Sequence, residues 1–136
     1  MKSALHIACQ KQDLVTIKFL LEQKNINVNQ EDEEGHTPIF HAVTKKNIGL
    51  LKLLEAHGAN LEHREGLLRT PLYVAASCGA MDIILYLVER GCDINLPSNL
   101  GRTALGKACW NGAVDVVKVL VEHPQVNIDF PDSNLR

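Results

Sequence analysis

The stretch Thr70-Pro71-Leu72-Tyr73-Val74-Ala75-Ala76-Ser77-Cys78-Gly79 runs on through Met81–Glu89 to Gly91-Cys92-Asp93-Ile94-Asn95. Its reading decides the fold. Thirty-three residues before Thr70 the chain has Thr37-Pro38-Ile39-Phe40-His41-Ala42, and thirty-three after it Thr103-Ala104-Leu105-Gly106-Lys107-Ala108. Thirty-four residues before Thr37 stands Ser3-Ala4-Leu5-His6-Ile7-Ala8. Self-similarity at a fixed period signals stacked units, none of which buries its apolar side alone. Four copies in register outweigh any local reading of one segment.

Each unit reads as two helices and a loop. The first helix opens on Thr37-Pro38, Thr70-Pro71 or Thr103. A threonine hydroxyl there can accept the first free amides, and proline suits the first turn, where its missing N–H has no partner. Ala42, Ala75 and Ala76 allow neighbouring helices to approach closely, and Gly79 and Gly112 end the first helix where a positive φ is expected. The second helix carries the main apolar face. Its residues are Leu14, Ile17, Leu20 and Leu21, then Leu50, Leu51, Leu53 and Leu54, then Ile83, Ile84, Leu87 and Val88, then Val116, Val117, Leu120 and Val121. Spacings of three and four put each set on one side of a helix. Gly58 and Gly91 fit the C-terminal caps of two of these helices.

The repeated motif resembles that of the ankyrin repeat, whose 33-residue unit carries Thr-Pro-Leu-His-x-Ala. The resemblance takes in almost the whole chain as four units, about 3–36, 37–69, 70–102 and 103–136. It implies an all-α solenoid of stacked helix-turn-helix units in one domain. The loops Asn27–His36, Glu62–Arg69 and Leu96–Arg102 then project as hairpin fingers. Asn29, Asp32 and Gly35 match the family's finger spacing, as do Asn95 and Gly101.

Several positions depart from that pattern. The first and last units run one residue long without an exit glycine, as Gln23-Lys24-Asn25-Ile26-Asn27 and His123-Pro124-Gln125-Val126-Asn127. The motif histidine survives only as His6, with Phe40, Tyr73 and Gly106 in its place elsewhere. Gly106 inside a helix costs about 1 kcal/mol relative to alanine. The finger before Thr70 carries Leu68 where glycine is expected, with Gly66 displaced, and this leaves its shape open. No dedicated cap stands at either end, so a fragment of a longer array or multidomain protein is expected, with a short natural protein as the alternative.

Composition agrees with a water-soluble helical array. The chain has 136 residues, 46% hydrophobic and 22% charged, with only 4% aromatic, which suits a core of small and aliphatic side chains. The formal net charge of −2 argues against a nucleic-acid partner, which calls for a basic stripe. No apolar run reaches the 18 or more residues of a membrane span. Met1-Lys2-Ser3-Ala4 leads directly into the first unit, so no leader is expected. Cys9, Cys78, Cys92 and Cys109 show no metal-type pairing, and Cys9 and Cys109 share a position where a small buried side chain is wanted. Reduced thiols in an intracellular protein, cytoplasmic or nuclear, follow.

In the ankyrin family, partners contact the finger tips and the exposed ends of the first helices, which line a concave groove. Carried over by position, the residue before each motif threonine is His36, Arg69 and Arg102, with Arg136 next. Such a row would suit an acidic peptide. It could equally be a solvated basic column, and Glu31, Asp32, Glu33 and Glu34 make the first finger acidic. The helix ends offer Gln10, Lys11, Thr44, Lys45, Ser77, Cys78, Trp110 and Asn111. Trp110, the only tryptophan, is of a type enriched at binding hot spots, but it could also pack over Gly106 or against a following repeat. Leu67, Leu68 and Leu100 are apolar finger residues, either contact points or packing between fingers. The expected partner-binding set is His36, Lys45, Arg69, Ser77, Arg102, Trp110 and Asn111.

Catalysis has little support. His6 is expected to bond within its own turn, His57 to favour the end of its helix, and no phosphate loop or metal-binding run appears. A monomeric, non-catalytic interaction module is expected, with no cofactor and no metal, recognising a protein or peptide. The alternative is a structural spacer within a larger, possibly enzymatic, protein.

Overall fold

The computed structural model describes residues 2–128. Eight helices follow in order: α1 (Ala4–Lys11), α2 (Leu14–Leu21), α3 (Pro38–Thr44), α4 (Ile48–Ala56), α5 (Pro71–Cys78), α6 (Met81–Glu89), α7 (Ala104–Asn111) and α8 (Val114–Val121). No strand occurs among the described residues. Each odd helix packs on the even helix that follows it, and the odd helices stack as α1, α3, α5 and α7. This is the architecture of an ankyrin-type helical solenoid. The core runs through the stack, from Leu5 and Ile17 through Ile39, Leu51 and Leu54 to Leu72, Ile83, Ile84, Leu87 and Leu120, each 2% exposed or less. Ala8, Ala42, Ala75, Ala76 and Ala108 are buried among the odd helices, where larger side chains would hold them apart.

Two residues of the expected apolar faces are exposed. Leu14 is 48% exposed and Val121 41%, because they begin α2 and end α8, the outermost even helices described. Cys109 is also exposed, against the expectation drawn from Cys9. The equivalent side chains Cys9, Val43 and Ala76 are each covered by the next helix of the stack, and no described helix follows α7. Burial pushes the Cys9 thiol up to about 12 and is the main cause that takes Cys92 to about 11.

The ends of α4 and α6 close as the glycines lead one to expect. Gly58 N–H donates to Glu55 O (2.9 Å) and Ala59 N–H to Leu54 O (3.0 Å). Gly91 and Cys92 repeat this on Val88 O and Leu87 O (3.1 and 3.2 Å). This two-bond closure needs a left-handed residue, and Gly58 and Gly91 have φ of 95° and 83°. The odd helices also end on a positive φ, at Gln12 (56°), Lys46 (55°), Gly79 (73°) and Gly112 (68°). The first two positions hold side chains where the backbone favours glycine.

The N-termini are less uniform than the motif. Ser3 and His6 cap each other reciprocally, and Thr70 and Thr103 accept from Tyr73 N–H and Gly106 N–H, both at 3.1 Å. Thr37 does not cap. Phe40 N–H goes instead to the Thr37 carbonyl (3.1 Å), and the Thr37 hydroxyl is buried without a hydrogen bond. His6 bonds within its turn as expected, but its Nε2–H also reaches the His36 carbonyl (2.7 Å) in the next unit.

The fingers close as compact turns. In each, one residue exchanges main-chain bonds with those three and four positions on. Asp32 N–H donates to His36 O (2.9 Å) and accepts from Gly35 N–H (3.1 Å). Ser98 does the same with Arg102 and Gly101 (2.7 and 2.9 Å). Glu65 does so with Arg69 and Leu68 (3.1 and 2.7 Å), so the second finger keeps the common shape. Leu68 accepts the glycine conformation, with φ of 60°. Gly66 serves a separate purpose. Its N–H donates to Glu34 O at 2.8 Å, and a Cβ there would lie 2.6 Å from that same oxygen. The first two fingers therefore touch through backbone.

Two stability predictions follow. In urea unfolding, Thr70→Val and Thr103→Val should each cost about 1 kcal/mol as a cap is lost, whereas Thr37→Val should cost nothing. Leu68→Gly should raise stability by up to about 1 kcal/mol through relief of the left-handed backbone, and Gly66→Ala should lower it. Equal losses at all three threonines, or a destabilised Leu68→Gly, would count against these assignments.

Candidate functional site

The residues expected to form a binding face come from two kinds of position. His36, Arg69 and Arg102 stand where a finger turn hands over to an odd helix, and Lys45, Ser77, Trp110 and Asn111 at the far ends of α3, α5 and α7. Lys45, Ser77, Trp110 and Asn111 are exposed, whereas His36, Arg69 and Arg102 are half-buried. Arg136 lies outside the described residues.

The structure joins His36 and Arg69 through Glu65, whose importance the motif analysis missed. Glu65 is 3% exposed. Its Oε1 accepts the N–H groups of Leu67 and Arg69, both at 2.9 Å. Its Oε2 lies 2.9 Å from Arg69 Nη2 and 3.3 Å from His36 Nε2. Burial by itself would raise the Glu65 pKa, but the Arg69 side chain and the two main-chain donors hold it below the usual carboxylate range. The Arg69 pKa is raised in turn, first by the hydrogen bond to Glu65. The sequence carried one signal of this. Glu65 occupies the turn position of Asp32 and Ser98, where a side-chain acceptor closes the finger.

The first finger surrounds His36 with more acid. Its Nδ1 is 3.7 Å from Asp32 Oδ1 and 3.8 Å from Glu34 Oε2, and its ring meets Phe40 edge-on at 5.3 Å. On the other side of Phe40, at 6.2 Å, His63 places Nε2 2.9 Å from Glu31 Oε1 and 3.0 Å from the Gly35 carbonyl. Both His36 and Arg69 thus have acidic side chains beside them.

The other pairing is Arg102 with Trp110. The guanidinium carbon lies 4.7 Å from the centroid of the indole ring, within cation–π range. Trp110 is 69% exposed, with this cation over its ring. Leu67, Leu68 and Leu100 are 48, 44 and 42% exposed on the fingers. The second and third tips are tied by Asn99 N–H donating to the Leu67 carbonyl (2.9 Å). Lys45, Ser77 and Asn111 share no described contact with either pairing.

A family profile for ankyrin repeats, in three copies, matches residues 1–65 and 58–132. The chain belongs to the ankyrin-repeat family. Ankyrin repeats are general protein-interaction modules on a fold that is in general non-catalytic. Three similar proteins carry different activities in their names. The ADP-ribosylation factor GTPase-activating protein AGD2 of Arabidopsis thaliana is 36% identical over 56 residues, 41% of this chain and 7% of that protein. The human transient receptor potential cation channel subfamily A member 1 is 40% identical over 58 residues, 43% of this chain and 5% of the channel. Alpha-latrotoxin-Lh1a of Latrodectus hasselti is 37% identical over 43 residues, 32% of this chain and 3% of the toxin. This ankyrin-repeat chain therefore spans a small part of the length of each relative.

Among the described residues no group of three or more His, Cys, Asp or Glu side chains is placed to hold a metal, and no helix is long and apolar enough to cross a membrane. His57 ends α4 as expected, with Nδ1 3.0 Å from the Leu53 carbonyl.

His41 supplies the pH-dependent feature of this ankyrin face. Burial first, then the nearby Lys2 and His6, lower its pKa to about 4, with Asp32 opposing them. Its Nε2 is buried without a partner. A base whose folded pKa falls below its ordinary 6.5 is held neutral, so its stabilising contribution is complete above pH 6.5 and is lost as the pH falls towards 4. His41→Val, the residue found at the equivalent Val74, should flatten the stability profile over that window. Chemical denaturation at a series of pH values checks this, and an unchanged acid slope would refute it.

Proposed function

We propose that this chain is a non-catalytic protein-interaction module that binds one protein or peptide along the groove formed by its fingers and the ends of its odd helices. The observation that carries this reading is Trp110, 69% exposed beside the half-buried Arg102. A large aromatic left in water costs about 25 cal/mol per Å² of apolar surface, and that cost is recovered on contact with a partner. Tryptophan and arginine are also the side chains that most often dominate binding energy. The proposed contact set is His36, Lys45, Arg69, Ser77, Arg102, Trp110 and Asn111, on four units of about 3–36, 37–69, 70–102 and 103–136. The module acts as a monomer, without cofactor or nucleic acid, in the cytoplasm or nucleus.

A second reading has specific support. The relatives align over 3–7% of their own lengths and are named for quite different activities. That pattern suits repeats that serve as a spacer or scaffold segment in a larger protein. Fold alone does not choose between them.

The two readings separate in a paired pull-down. One bait is the wild-type chain and the other carries Trp110→Ala and Arg102→Glu, with circular dichroism showing both folded. The interaction reading expects a partner recovered by wild type and lost from the variant. Equal recovery on both baits would move the contact to another face, and no recovery on either would favour the spacer.

A further inference from the structure

The seams between successive even helices are not alike. Between α4 and α6, side chains close the gap. Tyr86 and Arg90 of α6 both reach Glu55 of α4, Arg90 Nε at 2.7 Å, and Lys52 Nζ lies 5.2 Å from the centre of the Tyr86 ring. One unit earlier, the positions of Glu55, Tyr86 and Arg90 hold Leu21, Leu53 and His57. The His57 ring is turned to the Leu53 carbonyl of its own helix (3.0 Å). This seam lacks the carboxylate and the hydroxyl of the bridge, and a groove of about 570 Å³ opens between α2 and α4.

The groove is apolar inside. Ile17 and Leu50 are buried along it, and Leu14, 48% exposed, and the half-buried Leu53 complete its apolar lining. Asn47 Nδ2 donates to Gln12 Oε1 (2.9 Å) at the end where both helices begin. Gly49 also lines it, where the later units carry Asp82 and Asp115. A glycine inside a helix is destabilising relative to alanine. No packing demands it here, since a Cβ at Gly49 would meet only Asn47 Oδ1, at 3.5 Å. What the glycine does is keep the groove open and free of acid.

The charge around it is mainly positive. Lys18 lines the groove, and no ion pair among the described residues involves it. Lys11 and Lys46, both exposed, directly precede the lining residues Gln12 and Asn47. The nearby Asp13 is taken up as the cap of α2, accepting from the Thr16 N–H (3.3 Å) and the Thr16 hydroxyl.

We propose that this groove docks an amphipathic helix of a partner protein, with leucine-like side chains between α2 and α4 and acidic residues towards Lys18. Both walls are helices, whose main-chain groups are satisfied internally, so neither offers an edge to an extended strand. A partner lying along them must satisfy its own main chain, as a helix does. With eight and nine residues, α2 and α4 are about 12 and 14 Å long. That length takes two turns of a partner helix, with apolar residues at i, i+3, i+4 and i+7. The lysines then favour acid beside those residues and fix the helix's orientation. The groove shares no residue with the contact set proposed above, so it is a second face whose test is separate.

The probe is a fluorescein-labelled synthetic helix of about 15 residues, leucine at those spacings and glutamate beside them. One control carries lysine for glutamate, and another has the same composition with leucine in alternation. Anisotropy should show saturable binding of the glutamate helix, weaker as salt rises. Gly49→Asp and Lys18→Glu should each lower its affinity about tenfold or more, and Leu14→Ser should lower it as well. Gly49→Asp gives the second unit the side-chain type the later units carry, so its fold should hold, and circular dichroism checks this. Amide shifts in NMR spectra of the complex should centre on α2 and α4.

No binding of the glutamate helix, equal binding of either control, or unchanged affinity in Gly49→Asp and Lys18→Glu would overturn the proposal. Shifts confined to α5, α7 and the fingers would also overturn it, placing the peptide in the groove of the fingers instead. Anionic phospholipid vesicles, or a second copy of the chain in sedimentation, taking this face in place of the helix would reassign it and refute the proposal too.

Discussion

No helix pair in this chain can cover its own apolar side. The rest of the structure depends on that constraint. Ile83, Ile84 and Leu87 on α6 project from one side of a helix only nine residues long, and they are fully buried because neighbouring units are present. The odd helices must also lie close, which explains the small side chains at Ala42, Ala75, Ala76 and Ala108. Stability in such an array is shared between units and interfaces, so no single unit is expected to stand alone.

Stacking also leaves polar main chain to be satisfied between units, and the chain solves this with one repeated bond. Asn29 Oδ1 accepts from Asn60 N–H (2.8 Å), Glu62 Oε1 from Asp93 N–H (2.7 Å) and Asn95 Oδ1 from Asn127 N–H (2.7 Å). Asn29 and Asn95 also donate through Nδ2 to the carbonyls of Gly58 and Gln125 (3.0 and 2.7 Å). The ladder fixes the distance from one loop to the next. On the outer helices Glu55 adds a further link, accepting from Arg90 Nε (2.7 Å) and from the Tyr86 hydroxyl. Direct finger contacts, Gly66 on Glu34 and Asn99 on Leu67, complete the alignment.

The architecture was legible because it follows from period and composition. The helix pairs, the small residues between odd helices and the left-handed Gly79 and Gly112 could all be read locally. What local reading missed was set by neighbours distant in sequence. Gln12, Lys46 and Leu68 take glycine-like backbone because the stack dictates the turn, whichever side chain is present. Thr37 has the capping residue without the cap, since a main-chain carbonyl takes the amide first. Cys109 repeats the position of Cys9 without its burial, because burial at that position comes from the following helix. The Arg102–Trp110 pair joins residues eight apart that belong to different elements, and no motif marks it.

Glu65 shows most clearly why the charge of the candidate face was not legible from its columns. A column of His36, Arg69 and Arg102 reads as three cations when only the motif-flanking position is followed. The carboxylate beside two of them stands in the finger, four residues before Arg69 and twenty-nine after His36. It is retained in a buried position because two main-chain amides and a guanidinium replace the water it loses. The same side chain therefore closes the second finger, pairs with the Arg69 guanidinium at its base and links two adjacent units. A side chain chosen to shape a turn thus also sets the charge at the base of that finger.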